Sequence, residues 1–448
     1  MDKHASNLFK LSPLGINNPS NFCYIISSLQ LLINCKSFIY SLSLFKEIDK
    51  NITLLLTFFG LENNIYSRED IINIVNANQN LLTQNTELKK SILKKLKLSS
   101  EELTRYIDII KLYGNQIYIY VYIIKFILKY IDIQESSNNT KDENDSDNTL
   151  MNNLSSDFMA FLKVSNKALS NIGIDELIDG NQHDAHEFLI TFIDIINDTH
   201  SFIKSNPLPS NISSLTDKEF NELPVDKRIN IGIKKTFYNL NKNGYSILKN
   251  NLYFYTAQII NCNNCNFNSI SFQENSMLNL PIPDTKEQVT IYNCLDKYFN
   301  LEFMDNEYKC EKCSIKKTNN KLSKQLMTKP NDILIYFKRF DFDIKSMSMT
   351  KNKTNIKYPY ILNLQKYYAN ISNLHNENNK ILYKLKSVIC HRGTLNYGHY
   401  YNFVSKTNEL NNDEWYLCND ENIEKLNTEH IDKNIINNDA YILCYELV

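Results

Sequence analysis

Cys23 stands in the run GINNPSNFCYIISSLQLL (15–32), and His399 lies far downstream in YGHYYNF (397–403). A cysteine and a histidine so far apart suit thiol hydrolysis, because nucleophile and base need to meet only in the fold. A free cysteine in apolar surroundings otherwise reads as inert packing. Cys23 differs in position: Ile25, Ile26, Leu29, Leu32 and Ile33 recur behind it at helical spacing, with Pro19, Ser20 and Asn21 before it as a helix-start signal. Unpaired N–H groups and the macrodipole at a helix N-terminus favour thiolate over thiol. Asn18 would offer an amide NH₂ to an oxyanion, and it reads equally well as a turn residue. For His399 the plain alternative is a histidine packed in a strand. Gly398 removes side-chain bulk just before it, and DEWYLCNDENI (413–423) supplies Asn419 and Asp420, either able to accept from the imidazole and fix its tautomer. His391, in VICHRG, is the competing base and reads as structural.

A second constellation comprises Cys262, Cys265, Cys310 and Cys313, in IINCNNCNFNSI and NEYKCEKCSIKK. Each CxxC sits between strand-like flanks, as on a hairpin tip, and four thiolates would close a tetrahedral structural Zn²⁺ site. A redox CxxC or four unrelated thiols are the alternatives. Cys35, Cys294, Cys390, Cys418 and Cys444 lack such partners and read as buried thiols.

The elements that must position these groups change in character along the 448 residues. That length allows two or three average domains or one large catalytic domain. Residues 51–112 read as helices rich in Leu, Ile and Lys, and Ile117–Ile133 as a buried helix, broken too soon by Lys125 and Lys129 to span a membrane. The tract 134–157, polar and poor in anything to bury, reads as a disordered insertion. In NQHDAHEFLITFIDII (181–196), Phe188, Leu189, Phe192, Ile195 and Ile196 share one helical face. Residues 204–251 read as a loop-rich connection with its own insertion. From about Leu252, short alternating runs separated by Asn, Asp, Lys and Gly read as antiparallel strands. Helices first and strands after predict an α+β fold. The net charge of −1 provides no summed positive field for nucleic acid or an anionic membrane. Ten dispersed cysteines and an N-terminus without a secretory pattern point to cytoplasm, nucleus or both, and the chain is read as a monomer.

These islands, in this order, resemble the ubiquitin-specific proteases, a papain-like family of cysteine deubiquitinases. Gly15, Asn18, Asn21, Cys23, Tyr24, Ser27, Leu29 and Gln30 match the family's cysteine box. Gln182, Asp184, Ala185, Glu187 and Phe188 match its QQDAxEF box, and His391, Gly393, Gly398, His399, Tyr400 and Val404 its histidine box, with Trp415 preceding Asn419 and Asp420. LNLPIP (278–283), ILIYFKRF (333–340) and KYPYILNL (357–364) continue the likeness, which covers 11–448 outside the polar insertions. The resemblance implies one catalytic domain shaped as a hand, with a helical thumb, a β-rich palm and zinc-tipped β fingers. It implies ubiquitin and ubiquitinated proteins as partners, Cys23 as nucleophile, His399 as base and acid, Asn419 as its orienting group with Asp420 in support, and Asn18 at the oxyanion. It also implies a substrate-tail path past Gly398 and Tyr400, with Asp184 and Glu187 facing the tail's arginines or else bracing their helix.

The chain departs from the family pattern at Ser20 for glycine, Phe22 for threonine, Ile26 for asparagine and His183 for the second glutamine. None of these performs bond chemistry, but Ser20 and Phe22 flank the nucleophile. Two alternatives therefore stand beside the enzyme reading: a ubiquitin-binding module weak in catalysis, and a protease for another ubiquitin-like modifier.

Overall fold

The computed structural model describes residues 10–62, 64–139, 146–202, 207–285, 287–343, 347–369, 380–394, 397–408, 412–427 and 435–448. It is an α+β structure, and the chain divides into two compact units.

The first unit, Met1–Asn34, Phe38–Phe202 and Asn396–Leu426, is mainly helical. The Cys23–Ile33 helix is buried along its whole length, which suits its sequence: apolar residues on every side leave no face for water. It packs against the Ala185–Thr199 helix and the Gly398–Thr407 strand, where Asn402 Nδ2 donates to the carbonyl of Ser27 at 2.8 Å. The strand pairs antiparallel with Asp413–Asn419, which turns through Asp420 and Glu421 into Asn422–Lys425. The Ser100–Asn139 helix, kinked at Tyr113, contains the apolar run expected to be a buried helix; Ile117, Tyr120, Ile123, Phe126, Ile127 and Tyr130 are buried. Tyr130 places its hydroxyl against Leu14 and Gln30, fixing the segment that leads to the nucleophile.

The second unit, Cys35–Ser37, Ile203–Leu395 and Asn427–Val448, is richer in strands. Phe254–Asn261 lies between Asn268–Asn275 and Lys321–Leu326, all antiparallel, with Glu302–Phe303 beyond. In a second sheet Asp332–Lys338 pairs with Ala440–Leu447 on one side and, in parallel, with Leu278–Pro281 on the other; Ala440–Leu447 also pairs with Leu382–Gly393. Asp332–Lys338 is buried on both faces up to Phe337, the reason its sequence is a continuous apolar run.

Two sequence expectations need correction. Of the tract 134–157, residues 134–139 finish one helix and 146–157 begin the Ser146–Ser170 helix, while 140–145 lie outside the described residues. Gln134 is tied down by donating to the carbonyls of Leu11 and Ser12, and Leu154 is buried, so the segment has anchors that its overall polarity conceals. The connection 204–251 carries helices at Ser210–Ser213, Asp217–Glu222, Val225–Asn241 and Ile247–Leu252. Thr216 and Glu219 form a capping box, Ser246 caps the last helix, and Ile229 and Gly232 are buried on the longest. Local capping and one narrow apolar stripe thus make helices out of a polar composition.

Candidate active site

The thiol is the first residue of its helix, with Phe22 at the N-cap, and is only 3% exposed. Phe22 has no side-chain cap to offer. The Oδ1 of Asn18 instead fixes the chain that leads into the helix, accepting from the N–H groups of Ser20 and Phe22 at 3.2 and 3.1 Å. This differs from the expected start signal of Pro19, Ser20 and Asn21; the segment is held as an Asx-type turn by Asn18. The same amide donates through Nδ2 to Asp420 Oδ2 at 3.0 Å, which fixes which way its NH₂ points.

His399 enters from the second residue of its strand. Its Nε2 lies 2.6 Å from Asn419 Oδ1. An amide oxygen only accepts, so Nε2 carries the proton and Nδ1 is left for Cys23. The imidazole pKa is raised to about 9, first by its hydrogen bond with Cys23, against the opposing effect of burial, and further by Asn419 and the charges of Cys23 and Asp420. Asn419 ends one strand of the hairpin and Asp420 follows in the left-handed region at φ 52°, a conformation Asp tolerates better than most residues. Adjacent residues therefore take different tasks. Asn419 meets the imidazole, while Asp420 holds Asn18, and burial pushes the Asp420 carboxyl above the usual carboxylate range. Asp420 also accepts from the backbone N–H of Ile16 at 3.0 Å. Gly15 explains why this hairpin can come so near: an added Cβ would sit 2.0 Å from the carbonyl oxygen of Glu421.

The structure brings Cys23, His399, Asn419, Asn18 and Asp420 together within one unit. Gly398 is beside them, its N–H donating to Gln182 Oε1 at 2.9 Å, a contact that the sequence match at Gln182 did not reveal. Asp184 is the N-cap of the Ala185–Thr199 helix and accepts from the His186 N–H at 2.8 Å, so the bracing role is the one on view. Glu187, in that helix's first turn, is exposed. Tyr400 is 5% exposed, and strand alternation turns its side chain to the face opposite His399. His391 is buried against Phe340 and Tyr441, in keeping with a structural role.

In the other unit the four cysteine Sγ atoms all lie within 4.8 Å of one another. Cys262 Sγ is 3.9 Å from Cys313 Sγ, and Cys265 Sγ is 3.6 Å from Cys310 Sγ. The two CxxC turns repeat one geometry. Cys262 donates to the Phe267 carbonyl and accepts from the Asn266 N–H; Cys310 does the same with Ile315 and Ser314. Asn266 and Ser314 both have positive φ, 55° and 59°. The Asn264 N–H points at Cys262 Sγ. Burial opposes ionisation of Cys262, but backbone N–H groups of Cys265 and Asn264 and the neighbouring thiols outweigh it and bring its pKa to about 7. A group of thiols this close, with N–H donors turned toward sulfur, can hold a metal ion.

A family model described as ubiquitin carboxyl-terminal hydrolase matches residues 14–445. Among curated proteins, a probable ubiquitin carboxyl-terminal hydrolase of Acanthamoeba polyphaga mimivirus is 34% identical over 238 residues, covering 52% of this chain and 45% of that protein. Ubiquitin carboxyl-terminal hydrolase 4 of Eremothecium gossypii is 25% identical over 282 residues, 60% of this chain and 31% of that protein. The matched region thus spans less than half the length of either relative. Among solved structures, a SAGA DUB module of Ubp8, Sgf11, Sus1 and Sgf73 bound to monoubiquitin aligns over 98% of this chain and 70% of that chain, with a TM-score of 0.56 and 18% identity. The same module bound to ubiquitin aldehyde gives a TM-score of 0.54.

Proposed function

Because the chain belongs to the ubiquitin carboxyl-terminal hydrolase family, we propose that it is a thiol-dependent deubiquitinase, hydrolysing the bond after the C-terminal glycine of ubiquitin in conjugates. The observation that carries this reading is the Cys23–His399–Asn419 arrangement, with its 2.6 Å bond orienting the imidazole and a raised His399 pKa.

Cys23 thiolate attacks the glycine carbonyl while His399 imidazolium stands as its counter-charge. The tetrahedral oxyanion forms near the helix N-terminus, where the first N–H groups and the Asn18 amide are the donors; Asp420 keeps that amide in its rotamer. His399 gives its proton to the departing lysine amine, leaving a thioester. A water molecule then loses its proton to His399 and attacks the thioester, returning the thiolate and freeing ubiquitin's carboxylate. Asn419 holds the ring through both transfers and, carrying no charge, leaves the proton on the imidazole. Gly398 lies on the path of the substrate tail, and Glu187 is the exposed carboxylate suited to the tail's arginines, with Asp184 serving that helix as its cap.

The four cysteines suit zinc. Thiolates about 2.3 Å from a tetrahedral Zn²⁺ stand about 3.8 Å apart, which the 3.9 and 3.6 Å separations approach. Such an ion would be structural, closing the two turns on each other, and no catalytic step passes through it.

Cleavage of a fluorogenic ubiquitin C-terminal substrate, beside the same assay on ubiquitin-like modifiers, tests the reading. Turnover of ubiquitin that disappears in Cys23→Ser supports it. Turnover only of another modifier changes the substrate, and tight ubiquitin binding without turnover leaves the binding-module alternative.

A further inference from the structure

The segment Leu177–Asp184 is bonded to sequence neighbours of both Cys23 and His399 and contains an acid–imidazole pair of its own. His183 Nε2 lies 2.6 Å from Asp179 Oδ1. Asp179 also accepts from the Asn181 N–H at 2.9 Å and from Asn181 Nδ2 at 2.7 Å, so one carboxylate gathers three donors and closes the segment into a compact ring. Gly180 sits inside that ring at φ 94°, which a side chain would strain.

On one side the ring is bonded to the neighbours of Cys23. Asn21 Nδ2 donates to the Gly180 carbonyl at 3.1 Å, and Tyr24 hydroxyl donates to the Leu177 carbonyl at 2.7 Å. The Tyr24 and His183 rings meet edge-on, with centroids 5.6 Å apart. On the other side Gln182, flanked by Asn181 and His183, accepts the N–H of Gly398, the residue before His399. Asp179 remains a carboxylate down to about pH 2: burial works against this, and the His183 and Asn181 hydrogen bonds overcome it. Burial and the Asp179 charge push the Tyr24 phenol upward, so Tyr24 stays a neutral donor.

We propose that Asp179 and His183 are a positioning pair which, through Asn21 and Tyr24 on one side and Gln182 on the other, sets the approach of Cys23 to His399. Neither residue touches the reacting atoms. The pair fixes the ring, and the ring is bonded to both elements that present the catalytic groups. The requirement at 183 is for a donor that reaches Asp179, so a glutamine would serve there and an alanine would not. The inference rests on the thiol-hydrolase reading of Cys23 and His399 but not on the identity of the acyl group.

The test uses the full chain and two assays. Iodoacetamide alkylation of Cys23 at pH 6, followed by mass spectrometry with Cys23→Ala as blank, reports whether the imidazolium still supports the thiolate and needs no ubiquitin. Turnover of the ubiquitin fluorogenic substrate reports kcat and KM. Asp179→Ala and His183→Ala are expected to slow alkylation at least fivefold and lower kcat about tenfold with KM within twofold, while His183→Gln keeps at least half of both rates. Alkylation and kcat within twofold of the parent in both alanine variants would overturn the proposal, as would equal losses in His183→Gln and His183→Ala. Should the alanine variants lower Tm by more than a few degrees, Asp179→Leu, which keeps the side-chain shape and removes both acceptor oxygens, decides by the same two criteria. If the parent alkylates as expected but does not turn over ubiquitin, the substrate reading fails while the positioning pair is still judged by alkylation.

Discussion

His399 holds its proton more tightly than an ordinary imidazole, with a pKa near 9 in place of 6.5. The fold thus favours the protonated ring. The stabilisation is fully present below about pH 6.5 and is lost as pH rises through about 9. The proposed hydrolysis follows the same sign, because in it leaving-group protonation needs the imidazolium. We expect kcat/KM to fall on the alkaline side with an apparent pKa near 9, and a pH–rate profile should show it; an alkaline limb near 6.5 would mean that the Cys23 contact is absent. Asn419 orients the ring through one bond. Asn419→Ala should lower kcat/KM roughly 100-fold, the scale of losing an oriented general base, while Asn419→Asp should retain much more. Asp420→Ala acts elsewhere, freeing the Asn18 amide, and should lower kcat with the alkaline limb less affected than in Asn419→Ala.

The hairpin that carries Asn419 and the segment that carries Asn18 are locked by backbone contact at Gly15 and Ile16. A methyl at Gly15 would collide with the Glu421 carbonyl, and backbone cannot rotate out of the way as a side chain can. Gly15→Ala should destabilise by about 1–3 kcal/mol, the usual cost of overpacking, and lower kcat as the hairpin shifts. Thermal melts and steady-state kinetics on the same preparation check both. These elements also mark how far the sequence was legible. The Cys23 helix, the His399 strand, the CxxC hairpin tips and the buried helix at 117–133 were readable because period, flanking turns and burial agreed. The helices of 204–251 were not, because their stability lies in caps such as Thr216 with Glu219 and in a thin apolar stripe that composition averages away. Asn18 was legible as a site residue but not as the acceptor for Ser20 and Phe22, and Asn419 and Asp420 could not be told apart until the turn at φ 52° assigned them different partners. The ring closed by Asp179 and His183 left only a weak trace, the departure at 183 itself.

Across the whole molecule, Cys23, His399 and Asn419 belong to one unit and the four clustered cysteines to the other. Metal analysis should find about one zinc per chain, and Cys310→Ser or Cys313→Ser should release it. Removing zinc should lower stability, since metal affinity in such a site is folding free energy. Loss of zinc with no change in Tm would separate the ion from the fold. The proposed function stands or falls with Cys23 as the nucleophile toward the C-terminal carbonyl of ubiquitin. Incubating the purified chain with ubiquitin bearing a C-terminal electrophile and reading the intact mass decides this. The expected mass increase is one ubiquitin, mapped to Cys23 and lost in Cys23→Ser; no adduct, or one that persists in Cys23→Ser, would rule Cys23 out as that nucleophile.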